Sequence, residues 1–115
     1  MRSSREFPSV YLYQGASDMR YGVDRLASKV EEELRIRVLD GGLFVFVSRT
    51  RKRIKVLYWD NDGYALWTKR LEVGVFRIER IDGYEKITGV DFEKLLLGVE
   101  LRRIKFCKMV GGKVV

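Results

Sequence analysis

Histidine is absent from this chain of 115 residues, and cysteine occurs once, at Cys107. Without histidine, the usual general base near neutral pH and the commonest transition-metal ligand are both missing. Ser-His-Asp and Cys-His catalysis therefore cannot operate within this chain alone. One cysteine allows no internal disulfide and no thiolate-rich metal site, and its setting KFCKM reads as a packed thiol rather than a reactive one. No apolar run approaches the roughly 18 residues of a membrane span. The opening MRSSREFPSV lacks the apolar core of a signal peptide, so a cytosolic protein with no membrane association is expected.

Acids are missing from two stretches. None lies between Asp40 and Asp60, where Arg49, Arg51, Lys52, Arg53 and Lys55 stand, and none follows Glu100, where Arg102, Arg103, Lys105, Lys108 and Lys113 stand. With a net charge of +7 and a pI near 9.7, two unopposed basic segments result. They suit a phosphate backbone or an acidic protein surface, or they form a merely solvated face.

Hydrophobic residues at 46% and aromatics at 12% are enough for a folded core in one domain spanning residues 1–115. Residues 1–8 read as a flexible N-terminus and 102–115 as a basic C-terminal tail or a last strand. Neither an internal repeat nor a low-complexity tract breaks the chain.

SVYLY at residues 9–13 has the content of a short strand, followed by a turn over 14–17 with Ser17 or Asp18 as an N-cap. From Asp18, the spacing of Met19, Val23, Leu26, Val30 and Leu34 predicts a helix with one buried stripe. Asp40-Gly41-Gly42 marks a turn, and LFVFVS at 43–48 is apolar enough for a central strand. RIKVLYWD at 53–60 and YALWTKRL at 64–71 alternate, and VFRIERI at 75–81 reads as a further strand before the Asp82-Gly83 turn. Thr88 can cap a short helix carrying Phe92, Leu95 and Leu96, with Gly98 as its stop. The expected fold is α+β: an antiparallel β-meander of about four to six strands, packed against one long N-terminal helix and one short C-terminal helix.

Asp60-Asn61-Asp62-Gly63 invites a metal reading. Setting Gly63 at the sixth place of an EF-hand loop puts Tyr58 first and Lys69 twelfth, where acids are needed, so calcium is excluded. A Mg²⁺ nuclease would need Asp60 and Asp62 to converge with Asp18 or Glu72. Turn chemistry explains the four residues without a metal, with Gly63 expected at positive φ. Tyr58, Trp59, Tyr64 and Trp67 flank this turn. They can stack bases beside the cations or pack the sheet, and a division between the two roles is expected.

Four motifs taken together are more specific than any one. They are Asp18-Met19-Arg20 with Gly22, Leu43-Phe44-Val45-Phe46, Lys55-x-Leu57-x-Trp59-Asp60-x-Asp62-Gly63-Tyr64, and Lys69-Arg70-Leu71-Glu72-x-Gly74-x-Phe76. In this order and spacing the chain resembles, from Val10 to Leu101, the accessory proteins called TnpB of insertion-sequence family sixty-six, the second-open-reading-frame products of those elements. The RNA-guided nuclease sharing the TnpB name is unrelated. Tyr21, Arg77-Ile78 and the basic tail depart from the family's usual residues. The resemblance implies a bacterial transposition accessory protein, non-catalytic, with no cofactor or metal, encoded beside a separate transposase.

Charge adds a mechanism to that process. The first expectation is DNA binding at element ends, with Arg49, Arg51, Lys52, Arg53, Lys55, Lys69 and Arg70 on phosphates. Arg20 near a helix N-terminus is a further phosphate contact, and Trp59 and Trp67 are the stacking candidates. The alternative is a protein adaptor docking its basic face onto the transposase or a companion accessory protein. A metal-dependent nuclease comes third. Oligomeric state cannot be read from the sequence.

Overall fold

The computed structural model describes residues 9–97. The expected flexible segment 1–8, the Gly98 stop, Cys107 and the tail 102–115 lie outside the described residues. In chain order the elements are β1 (Val10–Ser17), α1 (Val23–Leu34), a 3-10 turn (Val38–Asp40), β2 (Leu43–Ser48), β3 (Arg53–Asp60), β4 (Gly63–Arg70), β5 (Tyr84–Ile87) and α2 (Gly89–Leu96). Among the described residues the strands form one five-stranded sheet in the order β4-β3-β2-β1-β5.

β2 lies in the middle of the sheet and every one of its residues is buried, as its unbroken apolar run requires of a strand covered on both faces. Period-two alternation then sorts side chains into two cores. Val45, Val47, Ile54 and Val56 face Phe76 and the α2 residues Phe92 and Leu95. Phe44, Phe46 and Leu57 face Val38 and the α1 residues Leu26, Ala27 and Val30. The helices therefore cover opposite faces.

The meander expectation holds only for β2-β3-β4, which pair antiparallel. β1 runs parallel to β2, with Val10 opposite Leu43 and Ser17 opposite Ser48, and its other edge pairs antiparallel with β5. A parallel neighbour needs a crossover, which α1 supplies. The turn expected at 14–17 is still strand. A register shift between Tyr13 and Ala16 marks a β-bulge, and the Tyr13 ring sits where a side chain at Gly15 would project.

The N-terminal helix is shorter than its apolar spacing predicts. Asp18 is not its cap: its carboxylate accepts the Arg20 backbone N–H at 2.9 Å and its carbonyl accepts Tyr21 N–H at 3.1 Å. That local turn competes with helix, so the helix begins at Val23 after Gly22 and Met19 precedes it. At α2, Thr88 does cap, its side chain accepting from Asp91 N–H at 3.0 Å.

The strand expected at 75–81 is a strap instead. Residues 72–83 carry the chain from β4, at one edge of the sheet, to β5, at the other, across the sheet end formed by Ser17, Ser48, Arg53 and Arg70. Its alternation is real: Phe76 is fully buried and Ile78 packs on the same core. Those side chains point onto the sheet, while the Phe76 N–H bonds to Arg51 O of the β2-β3 loop at 2.7 Å.

Candidate functional site

The β2-β3 connection, Arg49 to Lys52, is a compact loop held by its own polar groups. Arg51 N–H donates to Ser48 O at 3.0 Å. The Ser48 hydroxyl accepts Arg53 N–H at 3.1 Å and lies 3.3 Å from the Thr50 hydroxyl. Arg51 stands at φ 63°, the left-handed region that side chains larger than glycine or asparagine seldom adopt. With their backbones held, Arg49 and Lys52 are exposed, and so is the first residue of β3, Arg53.

Register adds Arg70. It is the direct cross-strand partner of Arg53 in the β3-β4 pair, and like charges so placed repel. Arg70 Nε donates to Glu72 at 2.9 Å, which offsets one of the two charges. Arg53, Thr68, Lys69, Arg70 and Glu72 line an open groove of about 470 Å³. On the strap side, Arg49, Arg51 and Arg80 line a second open groove of about 510 Å³ with Gly15, Ala16, Ile81 and Asp82.

Arg80 escaped the sequence reading. Its guanidinium donates to Gly15 O at 2.9 Å, to Gln14 O at 3.4 Å and to Ser48 O, pinning the strap to the ends of β1 and β2. Burial, and then the nearby Arg51 charge, pull its pKa below the usual arginine value. A signal existed: Arg80 shares the period-two row of Phe76 and Ile78, and a cation in an inward row implies acceptors waiting for it.

The remaining sequence candidates divide by position. Lys55 Nζ donates to Met19 O at 2.6 Å and Tyr21 O at 2.8 Å, fastening the β1-α1 link. Lys69 Nζ donates to Leu96 O at 2.7 Å, at the end of α2. Arg20 is held by Asp18 at 2.7 Å, and that hydrogen-bonded guanidinium lowers the Asp18 pKa to about 2. Trp67 packs against the core shared with α2. Trp59 stands at the other end of β3, edge-on to Tyr64 at 5.1 Å, with Nε1 donating to Asn61 O at 3.2 Å. Six residue steps separate it from Arg53, roughly 20 Å along a strand. The structure thus gathers Arg49, Arg51, Lys52, Arg53 and Arg70, with Lys69 lining the groove beside Arg53 and Arg70 while its ammonium is tied to α2, and sets Arg20, Lys55, Trp59 and Trp67 apart from them.

Asp60 closes the ladder at the tight β3-β4 turn and Asp62 lies within that turn, at the Trp59 end and distant from the arginines. The residue at positive φ there is Asn61, at 62°, and not Gly63. Among the described residues no group of three or more acids or cysteines is placed to hold a metal ion. No helix among them is long and apolar enough to cross a membrane.

Fold and charge together define a small α+β domain whose sheet carries a concentrated cationic end. The chain belongs to the family described as IS66 Orf2 like protein, which matches it over residues 8–106. The resemblance read from the motifs is borne out, and membership makes this an accessory protein of insertion-sequence transposition. Two relatives come from Sinorhizobium fredii (strain NBRC 101917 / NGR234). Uncharacterized protein y4hO is 38% identical over 94 residues, 81% of this chain and 82% of the relative. Uncharacterized protein y4jC is 33% identical over 89 residues, 76% of each chain. No solved structure matches the chain.

Proposed function

We propose that the protein is a non-catalytic DNA-binding accessory factor acting in the bacterial cytosol, holding the phosphates of element ends beside the transposase and its companion accessory protein. The supporting observation is the cross-strand pairing of Arg53 with Arg70 at the sheet end that also presents Arg49 and Lys52. Among the described residues Arg49, Lys52 and Arg53 have no acidic partner. Placing like charges side by side costs folding energy, and a polyanion laid across them reverses the sign. Backbone phosphates supply that charge regardless of sequence.

Replacing Arg49, Lys52, Arg53 and Arg70 together by alanine tests the reading. Stability should move within about ±0.5 kcal/mol per site, as for exposed charges in general. Duplex affinity should fall for all sequences alike. The slope of log K against log salt should become shallower by about 0.9 per lost contact, up to about 3.6 if all four engage. A variant that retains the parent's affinity and slope would falsify the proposal. If the parent holds DNA weakly and the variant instead loses the transposase in pull-downs, the basic end is a protein-docking surface.

A further inference from the structure

The groove on the strap side differs in kind from the exposed cations around it. Arg51 and Arg80 both line it, and Arg49 stands at its rim. Arg80 is immobilised by carbonyls from β1 and β2, three backbone oxygens in all. Those bonds use three of the five N–H groups of its guanidinium. Arg51 Nε is shielded from solvent and has no hydrogen-bond partner, although buried donors are nearly always satisfied. Arg51 also holds a left-handed backbone, φ 63°, where glycine or asparagine would be less strained. Such strain persists where surrounding structure enforces it and clusters at ligand clamps. Two guanidiniums thus share one partly buried groove in which Asp82 is the lining acid.

We propose that Arg51 and Arg80, with Arg49 at the rim, form a discrete site for a single phosphate group. A tetrahedral oxyanion offers several acceptors to planar guanidinium forks, and the groove brings those of Arg51 and Arg80 to one place. It also neutralises the repulsion between the two arginines. Arg80 is held in place before any ligand arrives, so the site is organised in advance. The inference rests on the DNA-binding reading for the source of the phosphate, either a strand terminus or an internal backbone position, but not for the existence of the site.

Arg51→Asn is the informative variant, because asparagine tolerates left-handed φ and so removes the guanidinium without distorting the loop. Arg51→Lys is its charge-retaining companion. Inorganic phosphate should raise the parent's melting temperature more than chloride at equal ionic strength. That increment should vanish in Arg51→Asn and return in part in Arg51→Lys. Short duplexes with 5′-phosphate or 5′-hydroxyl ends identify the source. A parent preference for the 5′-phosphate, several-fold and abolished by Arg51→Asn, assigns the site to strand ends. Equal affinities that both drop several-fold in Arg51→Asn assign it to an internal phosphate. An equal phosphate increment in parent and Arg51→Asn, or none in the parent, overturns the site. If phosphate stabilises through Arg51 while no duplex is retained, the site stands and the DNA reading fails.

Discussion

Asn61 shows how one residue sets the geometry of a hairpin. The β3-β4 loop has two central residues, Asn61 and Asp62, and the positive φ falls on the first, as in the primed hairpin turns that match strand twist. Asparagine is one of the few non-glycine residues that adopts this conformation at low cost. Gly63 closes the ladder opposite Asp60, and a β-carbon there meets open space. Asn61→Val should therefore destabilise by roughly 1–3 kcal/mol, whereas Gly63→Ala should change stability by less than about 1 kcal/mol. Denaturant midpoints of the two variants check this, and the reverse ranking would place the strain at Gly63. The motif made a turn legible here. Which residue carries the left-handed φ was not, because Asn-Asp-Gly supplies more than one candidate.

At the scale of elements, α1 is fastened to the sheet by a polar clasp as well as by Leu26, Ala27 and Val30. Tyr84 of β5 donates its hydroxyl to Glu33 at 2.7 Å, Lys29 donates to Glu33 at 2.9 Å, and Lys29 lies 4.1 Å from the Tyr13 ring centre. Partial burial raises the Glu33 pKa, but the hydrogen bonds from Tyr84 and Lys29 outweigh it, and the net shift is below the ordinary 4.5. Tyr84 is pushed well above its ordinary 10.0, first by burial and then by the Glu33 carboxylate. A depressed carboxyl pKa contributes stability that is present above the unfolded value and lost as pH falls through the folded one. Acid unfolding should thus gain a component below about pH 4.5 that Glu33→Gln removes. Circular dichroism followed against pH measures it, and coincident acid limbs for parent and variant would refute the clasp. Tyr84, in the opposite sense, gives up its contribution as pH rises past 10.

The elements also show what a single sequence carries. Apolar runs and alternation located β2, β3 and β4 to within a residue, because those strands are buried by period alone. The same alternation in VFRIERI misled: period two reports which side chains face inward, and a strap lying on a sheet face shares that pattern with a strand inside the sheet. Parallel pairing of β1 was not legible, since no local signal distinguishes a neighbour reached by a tight turn from one reached through a helix. Within the candidate site the acid-free run marked Arg49 to Arg53. Arg70 was also named from the sequence, and register showed that it stands opposite Arg53; Arg80 joined only through three-dimensional closure.

For the whole molecule, the consequence of the strap is kinetic. The hairpins β2-β3 and β3-β4 close over short sequence distances, whereas β1 meets β5 across more than 70 residues, from Val10 to Ile87. Arg80 reaches carbonyls 32 to 66 positions away. Loop closure of that length is slow to reward, so the central meander should assemble first and the strap settle last. In a refolding trace, the fluorescence of Trp59 and Trp67, both on the meander strands, should recover before the strap's Phe76 amide, which bonds Arg51 O, becomes protected from hydrogen exchange. Simultaneous recovery would contradict this order. A chain emerging from the ribosome would by the same reasoning carry its basic loop for some time before the strap reaches it, and the groove that Arg51 shares with Arg80 would come into being only once the last strand has been made.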